Sequence, residues 1–402
     1  MGIFDFFRVS PSPEKFARLV LRAFADAGHG EPLHYDAADF RLLGADGKSQ
    51  VHNLHNVYRE YLAAPRARRQ GVIDTYVRAF QMSGLPASFA EARGALLPLV
   101  RGRATLEFLR LKSGNGPRDP GPDASAPLSA DSVIMLAYDS ELSIQTLTGD
   151  TLRDWGVSFD EALAVAIDNL RDITVSHFEP IAPGVYMGAW DDAYETSRIL
   201  FADIFYQLEV GGEPLAMMPT RNRLLVASAN DHGAQLRMLT LAHEMAEEGR
   251  IVSALMYRFE HGKAVEHVPA DAEVLASLEE LKRSYLAEDY ASQKRLLDEQ
   301  YEQDGTDVFV ASYQLLRKQE GGNTISYGVW TESVDTLLPQ VDMVALVARA
   351  EGDQTETSFV AWSELRAHVK ELSLSEEGYP ARYRLKTFPS KELIAGLAPT
   401  EL

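Results

Sequence analysis

The chain has 402 residues, with 46% hydrophobic side chains, no cysteine and a formal net charge of −20. The absence of cysteine excludes a disulfide framework, a thiolate metal site and a cysteine nucleophile. After residue 130 the chain carries 46 acidic and only 22 basic side chains, and so acidic a surface repels nucleic-acid phosphates and anionic lipid.

Residues 1–112 have the patterns of a small α+β subdomain. Ser12 followed by Pro13 predicts a helix start, because a serine hydroxyl caps free backbone amides and proline suits the first helical turn. The remaining predicted elements are strands around 33–35, 39–43, 49–52 and 96–111 and helices over about 54–62 and 69–82. A basic run before the second of these helices is read as a solvated helix start rather than a polyanion site: Arg66, Arg68 and Arg69.

Residues 113–127 consist almost wholly of Gly, Pro, Ser, Asp and Asn, which predicts an exposed linker or loop. From 128 to 268 strand and helix patterns alternate with short connections, which is typical of a mixed sheet with helices packed on it. Two capping boxes are predicted to open helices in this part, where a side chain and a glutamate satisfy each other's backbone amides: Ser158 with Glu161, and Asp192 with Glu195.

Residues 269–304 contain a long charged helix with an apolar stripe, predicted over 271–303. Residues 305–402 then combine strand patterns with a helix, which predicts a C-terminal α+β domain. The whole chain is therefore predicted to be α+β, with mixed sheets, packed helices and two to three domains joined by the long helix.

The middle of the chain also carries a set of spaced motifs. The first is an alanine followed by an Asn-Leu pair, at Ala164, Asn169 and Leu170. The second is a Gly-Val-Tyr strand at 184–186 followed by the acidic residues Asp191 and Asp192. The others are an aromatic–acid–small–Ser–Arg–apolar–Leu run at 194–200 and a proline turn before an apolar strand at 219–226. On these motifs, residues 1 to about 268 resemble the YtpQ-like family, a bacterial family of unknown function. The turn departs from the family pattern, because Asn222 stands where aspartate is frequent. The resemblance implies an α+β fold and no particular reaction, and residues beyond 270 lie outside it.

The densest charged group in the resembling segment is Asp191, Asp192, Glu195 and Arg198. One interpretation is a polar pocket in which two carboxylates perform acid–base work and the arginine holds an anion. The other is purely structural, because the capping box explains the spacing of Asp192 and Glu195. If a binding site exists here, its expected neighbours are three further side chains: Asn169, Trp190 and Asn222.

Histidine-containing patterns are weaker candidates. The run from His243 to Glu247 lacks the second histidine of a zinc-protease helix, so a solvated helix face is favoured. His52 and His55, with His34 nearby, are read as surface histidines rather than metal ligands. We therefore expect no metal site and no cofactor.

The sequence lacks a phosphate-binding glycine loop, a dinucleotide motif and a serine-hydrolase elbow. The leading hypothesis is therefore a non-catalytic binding or regulatory protein that recognises another protein or a small polar ligand. The alternative is a carboxylate- or metal-dependent hydrolase with its site near Asp191, Asp192 and Arg198. No apolar run reaches the roughly 20 residues that a membrane-spanning helix needs, so we expect a cytoplasmic protein without a membrane partner.

Overall fold

The computed structural model describes residues 11–30, 32–37, 40–44, 51–81, 84–113, 124–140, 144–190, 192–247, 250–317, 324–349 and 354–397. The fold is α+β with several mixed sheets, as predicted. The chain forms two compact units. We call Met1–Ala95 with Tyr138–Gln145 the N-terminal unit, and Leu96–Ala137 with Thr146–Leu402 the main unit. The five-part division predicted from the sequence stays a prediction.

The N-terminal unit contains four α-helices among its described residues: α1 (Pro13–Asp26), α2 (His55–Ala63), α3 (Arg69–Gln81) and α4 (Phe89–Ala92). Its antiparallel sheet follows the order β1 (His34–Asp36), β2 (Arg41–Leu43) and β3 (Val51–Asn53). The Ser12 hydroxyl accepts a hydrogen bond from the Lys15 amide at 3.3 Å, which confirms the predicted start of α1. Several residues of the predicted elements lie outside the described residues: 39, 49, 50 and 82.

His52 lies in the core of the N-terminal unit, and its interpretation as a surface histidine is wrong. Its side chain is 3% exposed, and its ring lies 4.9 Å from that of Phe24 and 6.2 Å from that of His29, measured between centroids. Burial and the neighbouring His29 lower the pKa of His52 to about 4. Because the apolar surroundings disfavour the imidazolium form, His52 is neutral in the folded unit.

Acid is therefore expected to destabilise the N-terminal unit through His52. The unfolded chain binds a proton at His52 near pH 6.5 but the folded unit only near pH 4, so stability is lost as the pH falls through this interval. The loss amounts to about 2–3 kcal/mol. Hydrogen exchange of the α3 amides at pH 7 and pH 4.5 measures it, and the change should be smaller in His52→Leu. The exposed strand residue His34, replaced by leucine, is the control. An unchanged acid response in His52→Leu would contradict this assignment.

The main unit begins with a small sheet in the order β4 (Leu96–Gly102), β6 (Ser132–Asp139) and β5 (Ser125–Pro127). The next strand along the chain is β7 (Ile144–Thr146), of which all but the last residue belongs to the N-terminal unit. A six-stranded antiparallel sheet follows. Its order is β13 (Lys263–His267), β12 (Met256–Glu260), β10 (Pro214–Met217), β11 (Leu225–Ser228), β9 (Val185–Gly188) and β8 (Phe178–Ala182).

The helices that accompany these sheets are α5 (Arg103–Ser113), α6 (Gly149–Trp155), α7 (Phe159–Asp172), α8 (Ala202–Tyr206), α9 (His232–Ala246) and α10 (Ala272–Gln303). The predicted capping box of α7 is confirmed, because the Ser158 hydroxyl accepts from the Glu161 amide while the Glu161 carboxylate accepts from the Ser158 amide. The predicted long helix is also confirmed as α10. Its first apolar stripe is buried: Val274, Leu278, Leu281 and Tyr285.

The rest of the main unit has two four-stranded sheets, each with one parallel pair. The first follows the order β14 (Phe309–Val310), β17 (Thr336–Pro339), β21 (Arg382–Leu385) and β20 (Ser373–Glu377). The second follows the order β15 (Gln314–Arg317), β16 (Thr324–Thr331), β18 (Met343–Arg349) and β19 (Thr355–Ala361). Helices α11 (Trp362–Leu372) and α12 (Lys391–Gly396) complete the unit, and a core around Trp330 joins α11 to the second sheet.

Two predictions for the start of the main unit are wrong. The predicted strand 96–111 ends at Gly102, and the chain continues directly into α5. The predicted loop 113–127 is not exposed throughout, because Ala124 is fully buried and Ser125–Pro127 pair with β6 as β5. Residues 114–123 of that loop lie outside the described residues.

Candidate functional site

A cavity of about 280 Å³ opens in the main unit beside the middle of α10. Five chain segments line it, namely the β4–α5 junction, the turn before β6, the segment before β12, β13 and α10, with Tyr379 as a further wall. Gly102 allows two of these segments to meet, because a Cβ atom there would lie 2.8 Å from the Val252 carbonyl oxygen. Glycine at this position therefore lets the backbones approach closely.

Asp131 ties two of the lining segments together. Its carboxylate accepts hydrogen bonds from the hydroxyls of Ser129 at 2.9 Å and Ser253 at 3.0 Å, and from the amide of Ala254 at 3.0 Å. The hydroxyl of Tyr257 lies 2.8 Å from that of Ser253 and donates to that of Ser129 at 2.9 Å. Burial raises the pKa of the Asp131 carboxyl, although these hydrogen bonds favour its charged form. Asp131 is thus a satisfied structural carboxylate that brings negative charge to the cavity.

Asp289 is a half-buried carboxylate of a different kind. It lies on α10 and lines the cavity, yet its side chain forms no hydrogen bond or ion pair with any described residue. Burial, together with the charges of Asp131 and Glu288, raises the pKa of Asp289 to about 7, against the opposing effect of Arg382. A carboxyl with this pKa is half protonated in neutral solution, so it can either donate or accept a hydrogen bond there.

The other polar groups that line the cavity already have partners in the protein. The ammonium of Lys282 lies 2.8 Å from Glu279, the hydroxyl of Tyr285 donates to the carbonyl of Ala242 at 2.8 Å, and Glu266 accepts from the Ala130 amide at 2.7 Å.

The side chain of Tyr379 also lines the cavity. The guanidinium of Arg103 lies 4.3 Å from its ring centroid, while burial and the nearby carboxylates Asp131 and Asp289 raise the pKa of its hydroxyl well above the usual value. Its phenol therefore stays neutral.

Among the residues predicted from the sequence, Trp190, Asp192 and Arg198 lie together. The guanidinium of Arg198 is almost completely buried and forms two hydrogen bonds with the Asp192 carboxylate, at 2.8 and 2.7 Å. It also donates to the hydroxyl of Thr174 at 3.1 Å and lies 4.5 Å from the Trp190 ring. Because Arg198 is only 1% exposed, its guanidinium is not accessible to an anionic ligand.

The predicted capping box at Asp192 and Glu195 is wrong. The chain forms a 3-10 helix at Thr196–Leu200 and then the short α8, and neither start has a side-chain cap. Asp192 instead accepts from the Tyr194 amide at 2.8 Å and pairs with Arg198. Glu195 is 4% exposed, its Oε2 atom has no hydrogen-bond partner, and burial raises its pKa.

The remaining predicted site residues are dispersed. The amide group of Asn169 donates to the Leu96 carbonyl at 2.9 Å and so joins α7 to β4. Asn222 lies exposed on the turn between β10 and β11, and Asp191 lies outside the described residues. His243 is exposed on α9 and Glu247 is exposed at the C-terminal end of that helix, as expected for a solvated helix face.

Sequence reasoning missed the cavity and its two aspartates. A signal for Asp289 does exist, because it lies four residues after Tyr285 and four before Gln293, both of which are buried on α10. Residues four apart share a helix face, so an aspartate at this position is directed towards the core. Asp131 carries no comparable local signal, since its partners Ser253 and Ala254 are more than 120 residues away.

No family model, curated protein or solved structure matches the sequence. The described residues include no group of three or more His, Asp or Glu side chains arranged to hold a metal ion. Within the same residues, no helix is both long and apolar enough to cross a bilayer. Any functional assignment must therefore come from the chemistry of the cavity itself.

Proposed function

We propose that the protein is a non-catalytic binding protein, and that its cavity beside α10 holds a small molecule with a protonated amine. One observation carries the proposal: Asp289 is a half-buried carboxylate that lines a cavity and forms no hydrogen bond or ion pair with any described residue. A buried charge is costly unless an opposite charge or hydrogen-bond donor accompanies it. An ammonium group supplies both, and its charge-assisted hydrogen bonds are the stronger kind.

The surroundings of Asp289 favour a cation over an anion. Asp131 and Glu288 add negative charge near it, as the raised pKa of Asp289 reflects. Lys282, which also lines the cavity, is already engaged by Glu279. The side chains of Tyr285 and Leu286 offer apolar contact to the carbon skeleton of a ligand. At about 280 Å³ the cavity suits a small aliphatic amine rather than a large cofactor.

Binding is favoured over catalysis because no activated nucleophile accompanies Asp289 among the described residues that line the cavity. Ser253 and Tyr257 are buried and hydrogen bond to each other within the Asp131 network. The hydrolase alternative near Asp192 and Arg198 has no support from the described contacts, since the pair satisfies its own charges.

We also propose that the protein belongs to the YtpQ-like family, that it is cytoplasmic, and that the bound ligand regulates a protein partner. The lack of cysteine is compatible with a cytoplasmic location. An acidic chain of net charge −20 is a poor partner for nucleic acid.

Calorimetric titration of the protein with primary aliphatic amines and diamines at pH 7.5 tests the amine proposal. We expect binding of at least one amine, no binding of the alcohols of equal length, and at least a tenfold loss of affinity in Asp289→Asn, about 1.4 kcal/mol. The control is Asp298→Asn, an exposed aspartate on the same helix that pairs with Lys294. Equal affinity in the Asp289→Asn variant, or no amine binding to the unmodified protein, would overturn the proposal.

A further inference from the structure

A second cavity, of about 310 Å³, lies between the edge strand β19 and the helix α12. One of its walls is a single face of the β18–β19 pair, where Ser358 is opposite Leu346 and Glu356 is opposite Ala348. Directly opposed residues of an antiparallel pair point to the same side of the sheet. These four side chains therefore belong to one continuous wall.

Helix α12 forms the facing wall. Lys391, Ile394 and Ala395 all line the cavity, as expected for residues three and four positions apart on one helix face. Several lining side chains are small, namely Ala348, Ser358 and Ala395, so the helix and the sheet leave space between them. The recess therefore results from the size of the side chains at these positions.

The interior of this cavity is apolar and its mouth is charged. Leu346, Val360 and Leu397 are buried and belong to the hydrophobic core of the second four-stranded sheet. Glu356 and Lys391 are exposed, so they lie where the cavity opens to solvent. A ligand would meet hydrocarbon inside and two charges of opposite sign at the entrance.

The two charges at the mouth are not used within the described part of the chain. Neither the Glu356 carboxylate nor the Lys391 ammonium forms an ion pair or a side-chain hydrogen bond with a described residue, although both line the same cavity. A charge on the covered face of an edge strand can serve to prevent pairing with another chain, which would account for Glu356. It does not account for Lys391, which faces the same space from the helix.

We propose that this cavity binds a small zwitterion with an apolar side chain, such as a free aliphatic amino acid. The ammonium group of that ligand suits Glu356, its carboxylate suits Lys391, and its hydrocarbon part suits the interior. Because the two protein charges cancel, the site favours a ligand without net charge. A volume of about 310 Å³ suits an amino acid and is small for a nucleotide. The site shares no residue with the cavity beside α10, so the inference does not depend on the amine proposal.

Calorimetric titration of the full chain with leucine at pH 7.5 tests the inference. Two matched analogues are titrated in parallel: isocaproate, which lacks the amino group of leucine, and isoamylamine, which lacks its carboxylate. All titrations use the Asp289→Asn variant, so that an amine bound beside α10 does not contribute. We expect leucine to bind about fivefold more tightly than either analogue, because each analogue leaves one exposed charge of the site unpaired.

Variants at the two charged residues locate the binding site. Both residues are exposed, so their replacement should leave the core intact. Lys391→Gln should weaken leucine binding about fivefold without affecting isoamylamine, and Glu356→Gln should weaken it about fivefold without affecting isocaproate. Lys386→Gln and Glu179→Gln are the matched controls, because these residues are exposed and do not line the cavity.

Undetectable binding of leucine, isoleucine, valine and methionine would overturn the inference. Affinities for isocaproate or isoamylamine equal to that for leucine would also overturn it, because the site would then not recognise a zwitterion. The same holds if Lys391→Gln and Glu356→Gln bind leucine as tightly as the two control variants do.

Discussion

Replacing Asp192 by alanine is expected to lower the free energy of unfolding of the main unit by about 3–5 kcal/mol. The reason is that the variant removes the carboxylate that forms hydrogen bonds with the guanidinium of Arg198, whose side chain is only 1% exposed. The amide of Tyr194 loses its acceptor as well. Urea denaturation followed by tryptophan fluorescence measures the loss, because Trp190 packs against Arg198.

The reverse substitution should be milder. In Arg198→Met the remaining carboxylate of Asp192 is 32% exposed and keeps contact with water, so we expect a loss of about 2 kcal/mol. The pair Arg171–Asp203 is the matched control, because its partners have the same chemistry but are 44% and 55% exposed. Asp203→Ala should cost less than about 1 kcal/mol. If Asp192→Ala cost no more than Asp203→Ala, the structural role assigned to the buried pair would be wrong.

Asp289→Asn is expected to stabilise the protein in alkaline solution. Folding raises the pKa of this carboxyl to about 7, so its favourable contribution is complete below about pH 4 and is lost as the pH rises through 7. Above pH 7 the folded protein carries a partly desolvated charge at Asp289 that asparagine does not have. The variant should therefore gain about 2–4 kcal/mol in free energy of unfolding at pH 8 and almost nothing at pH 4.

Several charged and titratable groups near Asp289 also influence how stability depends on pH. Asp131 and Glu288 raise its pKa and Arg382 lowers it, while Glu266, Lys282 and Tyr379 line the same cavity. Asp298→Asn, on the exposed side of α10, should leave the profile unchanged. A gain from Asp289→Asn that is equal at pH 4 and pH 8 would show that the carboxylate charge is not the cause.

The sequence was most informative where local chemistry decides the structure. Ser12 and the Ser158–Glu161 pair cap helices as predicted, because a cap depends only on residues three positions apart. The same spacing at Asp192 and Glu195 was misleading. There the local cap competes with Arg198, and the charge-assisted bidentate pair is the stronger interaction.

Long-range contacts explain the other differences. The segment 96–111 has the apolar pattern of a strand throughout, but Gly102 meets Val252 and the Arg103 amide donates to the carbonyl of Asp131 at 2.9 Å. These partners stop the strand and start α5 in its place. The candidate cavity depends on the same kind of contact, because Asp131 reaches Ser253 across 122 residues of sequence. A single sequence does not reveal such pairings.

The most direct test of the central claim is the ionisation of Asp289 itself, followed by NMR of the carboxyl carbons labelled with ¹³C, with Asp289→Asn to assign the signal. The result expected from the structure is a pKa of about 7 in the free protein. It should fall by more than one unit when a protonated amine is bound, because the ammonium stabilises the carboxylate. A pKa near the ordinary value of about 4 in the free protein, or a pKa unmoved by every amine, would contradict the claim.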